Sequence, residues 1–196
     1  MKSIICFFLL SIFSMTCYAD DNEQRNEGNW YVGGAYHGGF PKLKALGASL
    51  DLGVGYSFNG GYTFSVSDKS KIDIDAEYFD MGDASGGNGS EYYYVNATID
   101  ASSYSLNLKP RYLPNGSGWF VGGLLGLGNY QLGASLESSY ESVSGEESGL
   151  GTSLGVELGY EANNFIGSVG YRYMMSSIDD VSTDFSTFYV GVRYKI

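Results

Sequence analysis

From Trp30 onward the chain repeats one pattern. Strand-length segments with every second residue apolar are separated by clusters of Gly, Ser, Asn, Asp and Pro. The first runs from Trp30 to about Phe40, with Trp30, Val32, Gly34 and Tyr36 on one face. The second, Leu52 to Val66, carries Val54, Tyr56, Phe58, Tyr62, Phe64 and Val66, and ends in the polar turn Ser67-Asp68-Lys69-Ser70. The third, Lys71 to Met81, presents Ile72, Ile74, Ala76 and Tyr78; a Gly/Ser/Asn-rich loop from about Gly82 to Thr98 follows. The fourth, Ile99 to Tyr112, alternates Tyr104, Leu106, Leu108 and Tyr112 with Ser105, Asn107, Lys109 and Arg111, and the chain turns at Leu113 to Gly118. The fifth begins at Trp119 with Val121, Leu125 and Leu127 on its apolar face, and a Ser/Glu-rich loop covers about Gly133 to Ser148. The sixth shows Leu150, Leu154, Val156, Leu158 and Tyr160 before a two-residue hairpin turn at Asn163-Asn164. The seventh carries Phe165, Val169, Tyr171 and Tyr173; an acidic loop at about Ile178 to Asp184 precedes the eighth, with Phe188, Val190, Val192, Tyr194 and Ile196.

Eight such segments with alternately long and short connections predict an all-β fold: an eight-stranded antiparallel up-and-down transmembrane β-barrel. Each segment has the length a tilted strand needs to cross hydrocarbon, about 9–11 residues. Closure satisfies every backbone N–H and C=O, which lipid requires. The short connections follow strands two, four and six, so both termini are expected on the periplasmic side, with the long loops outside. Aromatic placement agrees. Trp30, Phe64, Tyr112, Trp119, Tyr160, Phe165 and Tyr194 sit at the periplasmic strand ends, while Tyr36, Tyr78, Tyr104, Tyr173 and Phe188 lie toward the other ends.

The opposite parity is small or charged. Gly33, Gly53, Gly55, Gly122, Gly126, Gly128, Gly155 and Gly159 leave room. Asp73, Asp75, Glu77, Lys109, Arg111, Glu157, Arg172, Arg193 and Lys195 supply charge of both signs, and buried charges persist only when paired. An ion-pair network is therefore expected in the lumen, joining carboxylates of strands three and six to cations of strands four, seven and eight. An eight-stranded barrel is filled by its own side chains, so the lumen is expected to be plugged. A lipocalin is the rival eight-stranded barrel, and Gly28-Asn29-Trp30 matches its opening G-x-W. Against it stand the absence of a helix signal after strand eight and of cysteine after the leader.

Composition adds the compartment. Eighteen Tyr and 29 Gly accompany an ordinary 43% hydrophobic content, with no apolar run of helical span beyond the first residues. Lys2, the apolar run Ile4–Phe13 and the small residues Cys17 and Ala19 read as a signal peptide over 1–19, cleaved before Asp20. A lipoprotein reading through Cys17 fits poorly, given Ser14 and Thr16. A polar lead then spans 20–29 and the barrel 30–196. Cys6 and Cys17 depart with the leader, leaving no disulfide. Losing Lys2 makes the formal charge of −11 one unit more negative. So acidic a chain is not expected to bind nucleic acid.

At the C-terminus Tyr189-Val190-Gly191-Val192-Arg193-Tyr194-Lys195-Ile196 resembles the terminal signal read by the outer-membrane assembly machinery, with Tyr189, Gly191, Tyr194 and Ile196 at its key positions and Ile196 in place of the usual Phe. With Tyr78-Phe79-Asp80-Met81-Gly82 and Gly126-Leu127-Gly128, the chain resembles the OmpA/OmpX-like small outer-membrane barrel superfamily. A stand-alone barrel is expected, since the periplasmic domain of full-length OmpA has no counterpart after strand eight.

Chemistry is sparse. The lone His37 reads as a polar rim residue at the end of strand one, and no metal-ligand cluster, cofactor motif or His-x-Ser element is apparent, so no enzyme is expected. The loops carry Asp83, Glu91, Asp100, Glu137, Glu141, Glu146, Glu147, Asp179, Asp180 and Asp184. These acids suit either Mg²⁺ or Ca²⁺ bridges to lipopolysaccharide phosphates, or contact with a host or surface ligand, or plain solvation. A structural or surface-interaction barrel leads; a narrow pore or conduit for small hydrophobic molecules follows; a lipid A-modifying enzyme comes third.

Overall fold

Alternate apolar and polar residues suit a pleated strand, whose successive side chains point to opposite faces. The computed structural model describes residues 28–45, 48–51, 53–90, 93–115, 118–138, 140, 142–178 and 181–196. Its elements are β1 (Asn29–Ala45), β2 (Ala48–Asp51), β3 (Gly55–Ser67), β4 (Ser70–Ser90), β5 (Tyr93–Tyr112), β6 (Gly118–Ser138), β7 (Ser142–Ala162), β8 (Phe165–Ile178) and β9 (Val181–Lys195), with no helix among the described residues. Every pairing is antiparallel and runs between neighbours, and β1 pairs β9 to close the ring. The ring has eight places because β2 and β3 share one. Both pair with β1, and together they replace the single strand expected over Leu52 to Val66. Leu52 lies outside the described residues.

The strands outrun their apolar patterns. The Gly/Ser/Asn-rich stretch expected to loop from Gly82 to Thr98 is largely ladder, from Asp83↔Asp100 up to Ser90↔Tyr93. The stretch from Gly133 to Ser148 is likewise ladder up to Glu137↔Ser142. The acidic segment before the last strand is short, with Ile178 already paired to Val181. Backbone hydrogen bonds continue a register already fixed below, whatever the side chains contribute. A strand with both faces in water loses its two-residue burial pattern but keeps its ladder. Bulges lie in β4 between Asp80 and Asp83 and in β1 between Gly38 and Lys42. At the first, Gly82 takes φ 84°, and its N–H donates to Asp80 Oδ1 at 2.9 Å.

At the opposite end the connections are tight. Asp68-Lys69 joins β3 to β4, and Asn163-Asn164 joins β7 to β8 with Asn163 at φ 50°. Ile196 N donates to Trp30 O at 2.9 Å, tying the last residue to the first strand. The outer wall is apolar throughout, with Leu106, Leu127, Val156, Leu158, Val169, Val190 and Val192 exposed. Outward aromatics pair at both margins. Trp30–Tyr62, Trp119–Tyr160 and Phe165–Tyr194 lie at the tight-turn end, and Tyr36–Tyr56, Tyr78–Tyr104 and Tyr171–Phe188 toward the other.

Candidate functional site

The lumen is built in layers. At the tight-turn end Leu113, Phe120 and Ile166 form a buried apolar cluster. Above it Glu161 gathers three cations: its Oε1 accepts from Lys71 Nζ at 2.6 Å and Lys195 Nζ at 2.5 Å, and its Oε2 from Arg111 Nη1 at 2.9 Å. Asp73 accepts from Arg111 Nη2 and Arg193 Nη1, each at 2.8 Å, and from the Thr63 hydroxyl at 2.7 Å. The same Arg193 reaches Glu157 at 2.9 Å, where the Tyr189 hydroxyl also donates at 3.2 Å. Asp75 accepts from Lys109 at 2.6 Å, the Tyr31 hydroxyl at 2.7 Å, and Asn59 and Asn107 at 2.9 Å each. Glu77 takes Arg172 at 2.5 Å and Asn107 at 2.7 Å. A second apolar cluster of Phe79, Met81, Ala101, Tyr130, Met174 and Phe185 closes the top.

Arginines face the aromatics of the flanking layers. Arg111 lies 5.1 Å from the Phe120 centroid and Arg172 5.7 Å from that of Phe79. Inward glycines make the room: a Cβ on Gly33 would stand 2.7 Å from both Arg193 Cγ and Asn59 Oδ1. Among the described residues the lumen holds a space of about 30 Å³ among His37, Glu77, Lys109, Glu157, Arg172 and Arg193, and one of about 20 Å³ in the upper cluster. Each has room for about one water.

The structure brings Asp73, Asp75, Glu77, Lys109, Arg111, Glu157, Arg172 and Arg193 into one buried cluster, and Lys195 joins through Glu161. Glu161 and Lys71 were not singled out in the sequence, although they share inward parity with Glu157 and Asp73. Tyr31, Asn59, Thr63 and Asn107 were not singled out either, and parity places them inside too. Three expectations need correcting. The inward face is not only small or charged: Tyr31, Phe79, Met81, Phe120, Leu124, Tyr130, Ile166, Met174 and Phe185 are buried there. Small residues alone would leave voids at both ends of the tube, which bulky side chains fill. Gly53 is exposed in the break between β2 and β3, outside the ladder. His37 is a lumen residue, 2% exposed, with its ring 4.0 Å from that of Phe79; the upper layer covers the strand end where a rim was expected. Along the last strand, Tyr189 points inward, whereas Tyr194 and Ile196 are exposed.

His37 Nε2 lies 3.0 Å from Ser57 Oγ, the one arrangement among the described residues that resembles a nucleophile and its base. Both residues are buried, and His37 Nδ1 has no partner where a carboxylate would orient the ring. Among the described residues no group of His, Cys, Asp and Glu is arranged to hold a metal ion. Of the loop acids, Asp83 faces Asp100 across the β4–β5 ladder, and Asp83, Asp100, Glu137, Glu146 and Glu147 are exposed. Glu91, Glu141, Asp179 and Asp180 lie outside the described residues, as do residues 1–27.

Residues 5–195 match the model of the outer membrane protein beta-barrel domain. The chain belongs to that family. As an outer-membrane barrel it is similar in fold to Ail, the attachment invasion locus protein of Yersinia pestis, at 19% identity and TM-score 0.51, over 86% of this chain and 99% of that one. Ail in complex with the heparin analogue sucrose octasulfate gives 20% and 0.50 over the same shares. Neisserial surface protein A gives 18% and 0.54, over 87% of this chain and 100% of that one. At these identities the likeness is one of fold. No curated protein sequence matches this outer-membrane barrel.

Proposed function

We propose that this outer-membrane barrel is a non-enzymatic, non-conducting mount for surface interaction. In this reading the charged band seals the lumen, and the outer hairpins β4–β5 and β6–β7 meet the partner. One observation supports it: among the described residues the buried charged layer lies between two apolar clusters, and the spaces within the lumen measure about 30 and 20 Å³. A channel needs a continuous water path, and an enzyme needs a substrate-sized cleft beside its reactive groups. The orientation that accords with the tight turns puts both termini in the periplasm. It also gives residues 1–19 to a leader and Tyr189, Gly191, Tyr194 and Ile196 to assembly. Outer-membrane lipid and lipopolysaccharide would meet the apolar wall and its aromatic margins.

Ail has been caught with a polysulfated ligand. Here the described outer acids Asp83, Asp100, Glu137, Glu146 and Glu147 favour a cationic partner. The test has two arms. In planar bilayers the purified protein gives no large, steady conductance, and cells carrying it lose surface attachment when both hairpins are shortened to their membrane-level residues. Steady channels would overturn the sealed lumen; attachment that survives trimming would overturn the role of the hairpins.

A further inference from the structure

Of the three prolines, Pro110 alone stands in the wall at the depth of the charged band, between Lys109 and Arg111 of β5. On one side it pairs with Ile72 of β4. On the other, the ladder with β6 stops at Leu108↔Leu125 and resumes in the same register at Arg111↔Gly122. Lys109 and Pro110 therefore face Leu124 and Gly123 without a ladder pair. The cause is chemical: proline has no N–H to give. Its carbonyl is turned towards β6, 3.1 Å from where a Cβ on Gly122 would stand. Proline in a sheet is ordinarily confined to edges and bulges, and here it sits inside a closed wall. The β6–β7, β7–β8 and β8–β9 ladders run without a break. On the lipid side the gap is bare, since a Cβ on Gly123 would meet only Pro110 Cγ at 3.6 Å and Gly155 O at 3.9 Å.

Behind the gap lies the polar space of about 30 Å³, which Lys109 and Leu124 line together with His37 and Arg172. Two buried atoms of that lining, His37 Nδ1 and Arg172 Nε, have no hydrogen-bond partner among the described residues. Buried polar groups that lack a protein partner are ordinarily met by water. Along the axis the two apolar clusters stand in the way. Sideways, only the thickness of the wall does. Pro110 is two residues from Tyr112 of the lower aromatic margin, about 7 Å along the strand, so the gap borders the headgroup level. We infer that water reaches this buried space sideways, where β5 and β6 part at Lys109-Pro110 and Gly123-Leu124, and that it bridges Arg172 Nε to His37 Nδ1. Arg172 Nε–H donates to the water, and the water donates to Nδ1, while His37 keeps its proton on Nε2 and donates it to Ser57. The route admits water and leaves the axis shut to ions. It does not rest on the outer hairpins.

The experiment uses the full protein in phospholipid nanodiscs and reads hydrogen exchange by NMR. Backbone amides from Gly122 to Leu125 should exchange faster than those from Gly170 to Tyr173, their counterparts across β7 in unbroken ladders. The Arg172 Nε–H should exchange with solvent in the native protein. Pro110→Val restores the missing donor and should slow that exchange roughly fivefold or more. Gly123→Val, which covers the gap from the lipid side, should slow it as well, so the result does not hang on one substitution. Equal protection of the two backbone runs would overturn the inference. So would an Arg172 exchange rate that neither wall variant changes. An exchange that quickens in Met174→Ala of the upper cluster while ignoring both wall variants would put the entry on the axis instead.

Discussion

The middle of the lumen and its upper end fill the same tube by opposite means. In the middle, five carboxylates and six cations interlock, each contact tying one named atom to another on a different strand. At the upper end Phe79, Met81, Ala101, Tyr130, Met174 and Phe185 exclude water by bulk alone. The charged band is specific and brittle, because its charges are stable only while every partner is present. The apolar layer is tolerant, since a side chain of similar volume can replace another. A charged band ties named residues of different strands together; an apolar layer above it lowers the local dielectric, in which those contacts are stronger.

Removing one cation from the band should do the most damage. Arg193→Met leaves Asp73 and Glu157 each short of a partner, and should cost about 3–5 kcal/mol in denaturant unfolding in lipid. Met174→Ala in the upper layer should cost about 2–4 kcal/mol in the same measurement, as a cavity rather than a broken pair. Bilayer recordings of that variant should stay silent, because the band beneath still seals; steady conductance would assign the seal to the apolar layer alone. The two regions separate further in a double-mutant cycle on Arg172 and Glu77. Arg172→Met/Glu77→Met should cost less than Arg172→Met alone, since removing both charges leaves none stranded. Costs that simply add would deny the coupling. Lys195→Met should be mildest, about 1 kcal/mol or less, because Glu161 keeps Lys71 and Arg111 and the lysine is partly exposed.

How much of this was legible from the sequence differs between the same two regions. Charged residues at inward parity announce themselves, because Asp73, Asp75 and Glu77 on a lipid-crossing strand have nowhere else to go. The apolar lid does not. Phe79 and Met81 continue the inward parity of Glu77, yet an apolar residue on a barrel strand reads equally well as wall. His37 misled for a related reason: its position on the strand suggested a rim, and only the layer above it makes that position interior. Glu161 and Lys71 were hidden by their nearness to turns, where charge ordinarily means solvent. The hairpin extensions were invisible because Gly and Ser runs carry no periodicity, and their ladders follow from register inherited from the wall below.

Arg193 bonds Asp73 across 120 positions of sequence and stands near the end of the last strand. Its arrival is therefore a matter of timing. While the barrel is still open, Asp73 keeps Arg111 but lacks Arg193, and the sheet has two raw edges. Docking of β9 against β1 brings Arg193 to Asp73 and removes both edges in one event. Completion is thus rewarded all at once rather than strand by strand, and a chain truncated before Arg193 should stall as an open sheet instead of settling into a smaller barrel.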